Sequence, residues 1–235
     1  MGDDDDIRND EVNEIIQLRA EYIQRHYPSI RDSYRNSYDW PQFDPLRHEI
    51  CLSIMFGMCQ AAITLTNHLL ESLLKYALII KKGNEFQQTE DAIKGRGITS
   101  FEEKYADGIR LYGGVNLYDS INHVRQEHLI SDEQHQQLHE YRDIFRNAYG
   151  HADKKKTFGK STMPVTGMRL EDDKVVKDES KNAEIASLLI GQGLAQAQIA
   201  HDIAPPYFLY IDSLVREIYT KLFGPHPDQA REGEQ

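Results

Sequence analysis

Apolar residues recur at three- and four-residue spacing along most of this chain, the period of helices that bury one stripe and solvate the other. Val12, Ile15, Ile16, Leu18 and Ile23 predict an amphipathic helix over 11–25. An aromatic, polar loop is expected over 27–40, between the breakers Pro28 and Pro41. The longest pattern covers 46–82. It places Leu52, Met55, Cys59, Ala62, Thr66, Leu69, Leu73, Tyr76 and Ile80 on one face, and Gln60, Thr64, His68, Glu71 and Lys75 on a more polar one. Gly57 is a point where this helix can bend. A loop or weak helix over 82–97 leads to short helices over 101–111 and 117–128. Ser131 followed by Gln134 is a capping box, and the helix it starts should run to Gly150 or His151. Over 153–181 the helical period is lost, and 163–169 with 174–176 read as a small hairpin. Helical patterning returns over 182–201 and 205–223, with Pro205 and Pro206 opening the last helix. The expectation is one all-α domain over 1–235. It is an antiparallel helical bundle with a long central helix, an irregular or hairpin insertion near 153–181, an acidic tail over 1–10 and a frayed end over 224–235.

Composition narrows the function. The formal net charge of −11 argues against a protein that coats duplex nucleic acid by neutralising phosphates. A small groove with local positive charge remains compatible with it, because net charge and local potential are different quantities. Residues 51–70 contain no Asp, Glu, Lys or Arg, but Ser53, Gln60, Thr64, Thr66, Asn67 and His68 interrupt them, so a buried central helix is expected and no membrane span. Cys51 and Cys59, eight residues apart, would stand roughly 12 Å apart on one helix and read as reduced core residues. The acidic beginning lacks the basic and apolar regions of a signal peptide, and a cytoplasmic protein is expected.

The helix from Asp132 carries the candidate chemistry. Leu138, Tyr141, Phe145, Ala148 and Ala152 form its core stripe. His135, His139, Arg142 and Arg146 lie on a neighbouring exposed face, and Asp143, Asn147 and His151 make a third row. An imidazole exchanges protons near neutral pH, and a guanidinium fork matches phosphate oxygens. Together Arg146 and His151 suffice to activate a ribose 2′-hydroxyl and stabilise a charged phosphoryl transition state without a metal or cofactor. Asn147 is placed to orient the imidazole. The pair stand five positions apart, roughly 140° around an ideal helix, so convergence needs a loosened helix end or a second subunit.

Arg146-Asn147-Ala148-Tyr149-Gly150-His151 resembles the Arg-x4-6-His motif of HEPN domains, and the capped helix before it and the helix holding Ala62, Thr66, Glu71, Leu74 and Lys75 resemble the same family. The resemblance implies a HEPN-like bundle that is a homodimer with a composite site at its interface. It further implies an endoribonuclease that leaves a 2′,3′-cyclic phosphate, in a prokaryotic toxin–antitoxin or anti-phage defence system with an antitoxin or other partner protein. Carried over by position, Arg146 and His151 are catalytic, and Asn147 and Glu71 are supporting. Arg142, His139, Lys154 and Lys155 are further candidates for RNA contact. Asp153 stands where toxins silenced by a nucleotidyltransferase antitoxin often carry Tyr.

Glu71 also fits a surface pair with Lys75. His135 and His139 have metal-pair spacing, but no third ligand is evident in the sequence and the glutamate of the zinc-protease motif is absent. Gly159-Lys160-Ser161 imitates the end of a phosphate loop, yet Lys154 occupies the first glycine position. The alternative to an enzyme is a non-catalytic HEPN module that binds a protein partner or a nucleotide.

Overall fold

The computed structural model describes residues 3–87, 101–147, 160, 162–165, 168–171, 174–177, 181–184 and 191–224. The chain is predominantly helical. In order, α1 covers Asp3–Arg35, a 3-10 turn Pro41–Phe43, α2 Asp44–Met55, α3 Cys59–Gln87, α4 Phe101–Tyr112, α5 Leu117–Gln126, α6 Asp132–Tyr141, a π-helical turn Arg142–Asn147, and α7 Gly191–Phe223. Four short strands separate the π turn from α7. β1 (Thr162–Val165) pairs antiparallel with β4 (Lys181–Glu184), and β2 (Met168–Glu171) pairs with β3 (Lys174–Lys177), so one hairpin is nested inside another. The expected insertion is therefore a strand device that runs on to Glu184, where a helix from 182 was expected.

Helix α3 is the hub, packed by α2, α4, α5, α7 and the π turn. Besides the expected Ala62, Thr66, Leu69 and Leu73, it also buries Ile63, Leu70, Leu74, Ala77 and Leu78. A helix apolar around most of its circumference is one surrounded by others. From α7, Tyr207, Phe208, Ile211, Leu214, Val215 and Ile218 complete the core.

The single long helix expected over 46–82 is two helices. Gly57 takes φ +72, its N–H donates to Ile54 O (3.0 Å), and the Met58 N–H donates to Ser53 O (2.8 Å), the paired bonds of a left-handed helix cap. A side chain at Gly57 would also press on the Tyr22 ring at 3.0 Å. Cys51 and Cys59 consequently sit on different helices, both buried and unbonded. Burial pushes the Cys51 thiol up to about 12 and the Cys59 thiol, 3.1 Å from His201 Nδ1, up to about 11. The reactive thiolate is scarce at such values, so neither cysteine should react with a disulfide reagent near pH ~8 until the protein is denatured. Rapid labelling of the native chain would contradict this packing.

Two helices run through prolines that were expected to bound them. Helix α1 continues through Pro28, and α7 continues through Pro205 and Pro206, although each proline removes one backbone donor from its helix. Burial past the prolines compensates: Ile30 is fully buried, Tyr34 stacks on His48 (5.1 Å between ring centroids), and Tyr207 and Phe208 enter the core. The N-terminal half of α1 corrects a second expectation. Val12, Ile15, Ile16 and Leu18 are exposed, and α1 docks through its later residues instead, with Ile23, Tyr27 and Tyr34 against the core.

Helices α3 and α4 meet at close range through Gly108. A Cβ there would lie 2.9 Å from Ile79 O and 3.0 Å from Ile79 Cα, backbone atoms that no rotamer change can move. Gly108→Val is expected to cost about 2–3 kcal/mol by overpacking, read as a lower urea midpoint. An unchanged midpoint would show that the two helices do not touch there.

Candidate active site

Ser131 caps α6 as expected. Its Oγ accepts from Gln134 N (3.2 Å), and Ser131 N donates to Gln134 Oε1 (2.9 Å). This fixes the helix start, and the core stripe fixes its rotation. Leu138 and Phe145 are buried, and Tyr141 packs on Tyr207, Tyr210 and Phe145 with centroids 5.0–5.3 Å apart. Phe145 lies 4.3 Å from Tyr207, whose hydroxyl donates to Asn67 Oδ1 on α3 (2.7 Å). The aromatic nest thus locks the end of this segment onto both α3 and α7.

The expected uninterrupted α-helix does not persist to Gly150. From Arg142 to Asn147 the backbone is π-helical. Such wide turns are rare and recur at functional sites. Each residue of a π turn advances less around the axis than the ~100° of an α-helix, so side chains after it fall out of their expected row. Here the row divides. His135 and His139 face Asn122 on α5, and the Arg142 guanidinium lies 4.7 Å over the Tyr118 ring, also on α5. Arg146 instead turns to α3, where its Nη2 is 3.4 Å from Glu71 Oε2.

Arg146, Glu71 and Lys75 form one polar cluster. Lys75 Nζ lies 3.0 Å from Glu71 Oε1, so one carboxylate sits between two cations and the trio carries a formal charge of +1. The Arg146 side chain is 38% exposed and its contact to Glu71 is long, so its guanidinium can exchange this partner for an external anion at little cost. The expected Glu71–Lys75 pair is present, and the same carboxylate also meets Arg146.

The other expected RNA contacts are differently placed. Arg142 is bound by Asp143 (2.6 Å) and stacked on Tyr118, and both ring nitrogens of His139 have neighbours: Asn122 and His135 at Nε2, Arg142 at Nδ1. Desolvation first, then His135 and Arg142, lower the His139 pKa, which keeps the ring neutral at pH ~7. A neutral, engaged imidazole is a poor phosphate ligand. Asn147 closes the π turn. The orienting role read for its side chain, and the positions of His151, Lys154 and Lys155, lie outside the described residues.

Asn122 and Tyr118 were missed by sequence reasoning. They stand four apart on α5 and oppose the row of His135 and His139 on α6 and Arg142 at the start of the π turn. Two such rows on consecutive helices joined by a short connection are the signal that was there to be used.

Among the described residues no group of three or more His, Cys, Asp or Glu side chains is placed to hold a metal ion, and no helix is long and apolar enough to cross a membrane. No protein-family model, curated protein or solved structure matches the chain.

Proposed function

We propose that this chain is a HEPN-type endoribonuclease that acts without a metal, as a homodimer in a prokaryotic toxin–antitoxin or anti-phage defence system. The observation that carries the reading is the half-exposed Arg146 guanidinium, held on a π turn within the Arg-x4-His motif and beside the Glu71–Lys75 pair of the central helix. In this mechanism the His151 imidazole removes the proton from a ribose 2′-hydroxyl. The 2′-oxygen then bonds to the adjacent phosphorus, the bond from phosphorus to the 5′-oxygen breaks, and the leaving oxygen takes a proton from an imidazolium or from water. Arg146 stabilises the negative charge that gathers on the non-bridging oxygens, with Lys75 adding positive potential. The products are a 2′,3′-cyclic phosphate and a 5′-hydroxyl end.

The test is incubation of the protein with mixed RNA in excess EDTA, beside Arg146→Ala and His151→Ala variants whose folding is checked by circular dichroism. Cleavage that both substitutions abolish supports the enzyme. Absence of cleavage by the folded wild type overturns it in favour of an interaction module, a role for which the exposed Val12, Ile15, Ile16 and Leu18 of α1 supply an apolar surface.

A further inference from the structure

Three donor atoms converge between α5 and α6. His135 Nε2 and His139 Nε2 are 3.2 Å apart, and Asn122 Oδ1 lies 2.9 Å from the first and 3.1 Å from the second. The helical i,i+4 spacing brings the two imidazoles together edge to face, 4.6 Å between centroids, and Asn122 reaches across from the preceding helix. All three side chains are half-buried, so solvent can reach them from one side.

The near-equilateral triangle has the dimensions of a coordination face. Donors bonded to one ion at about 2.0–2.1 Å stand roughly 2.9 Å apart at right angles and about 3.4 Å apart at the tetrahedral angle. Two imidazole nitrogens and one amide oxygen suit a borderline divalent ion, and three protein donors leave positions for water. We propose that His135, His139 and Asn122 bind one Zn2+, Co2+ or Ni2+ ion per chain. The site is separate from Arg146, so it stands whether or not the protein cleaves RNA.

The same atoms also satisfy one another without metal. Each ring can carry its hydrogen on Nε2 and donate to a lone pair of Asn122 Oδ1, while Arg142 Nη1 donates to His139 Nδ1 across 3.4 Å. Coordination requires bare Nε2 atoms, so the ring hydrogens sit on Nδ1 in the metal-bound form. For His139 this points an N–H at Arg142, which has no acceptor to offer. Arg142 must then withdraw onto Asp143 and Tyr118, where it is already held. Metal entry is thereby coupled to release of Arg142 from His139.

The experiment uses tag-free protein titrated with Co2+, followed by its visible d–d absorption, with Zn2+ calorimetry for stoichiometry and long-range 1H–15N spectra for ring tautomers. The expected result is one saturable equivalent per chain and a move of the His139 ring hydrogen to Nδ1. His135→Ala and His139→Ala should each weaken binding at least about tenfold, and Asn122→Asp should tighten it by supplying a charged oxygen. Arg142→Gln should also tighten it, because a glutamine oxygen can accept from Nδ1. Lack of saturable binding by the wild type overturns the proposal, as does binding that survives both histidine substitutions. Weaker binding in Arg142→Gln refutes the coupling to Arg142.

Discussion

Asp212→Ala is expected to destabilise the protein by about 3–5 kcal/mol, the cost of breaking a buried charged network by removing one partner. Asp212 is buried on α7. It accepts from Ser33 Oγ on α1 (3.1 Å), from the Tyr38 hydroxyl and from Arg216 Nη2 (3.4 Å). Two guanidiniums flank the Tyr38 ring, Arg47 at 4.8 Å and Arg216 at 5.2 Å. Arg47 is itself buried, donates to Ser33 O, and pairs with Asp44 at 3.1 Å. Burial first, then Asp212, hold the Tyr38 phenol far above its ordinary range, so it remains a donor at any accessible pH. Alanine at 212 would strand the buried Ser33 and Tyr38 hydroxyls and take from Arg216 its carboxylate partner, while Arg47 keeps Asp44. Against a total stability of about 5–15 kcal/mol, that loss takes a large share. Asp212→Asn keeps an acceptor and should cost less. Urea denaturation decides, and a loss under about 1 kcal/mol for the alanine variant would mean that α1, α2 and α7 are not joined through this carboxylate.

Arg146→Ala and His151→Ala are each expected to lower metal-free RNA cleavage about 10²- to 10³-fold, the range for removing a charge-stabilising donor or a general base. The two should not be additive, because either loss disables the same step. Stability should change little in Arg146→Ala, since its pair with Glu71 is half-exposed and long. Glu71→Gln gives the contrasting result. It leaves the guanidinium present but less well placed, so a smaller loss is expected than for Arg146→Ala. Equal loss in both variants would identify Glu71 as part of the chemistry rather than as a positioning residue. Unimpaired cleavage by Arg146→Ala would remove this arginine from the mechanism altogether.

Much of the helical scaffold was legible because its signals are local. The Ser131–Gln134 cap needs only four residues, and the burial of Ala62, Thr66, Leu69 and Leu73 follows from spacing. The site itself was less legible. An ideal wheel places Arg146 with His135, His139 and Arg142, and only the π turn sends it to α3 while the others face α5.

What the sequence determined by itself was where chains of apolar residues at helical spacing begin, how Ser131 starts a helix, and that Gly57 marks a weak point in the long pattern. What tertiary structure decided was every choice between a local cost and a distant contact. A proline costs a helix roughly 3 kcal/mol, and burying one or two large side chains such as Ile30, Tyr207 or Phe208 returns a comparable amount, so α1 and α7 run on where local rules end them. The exposed Val12, Ile15 and Ile16 are the converse case. Their spacing says which face they share, but only the packing of neighbouring helices says whether that face is covered.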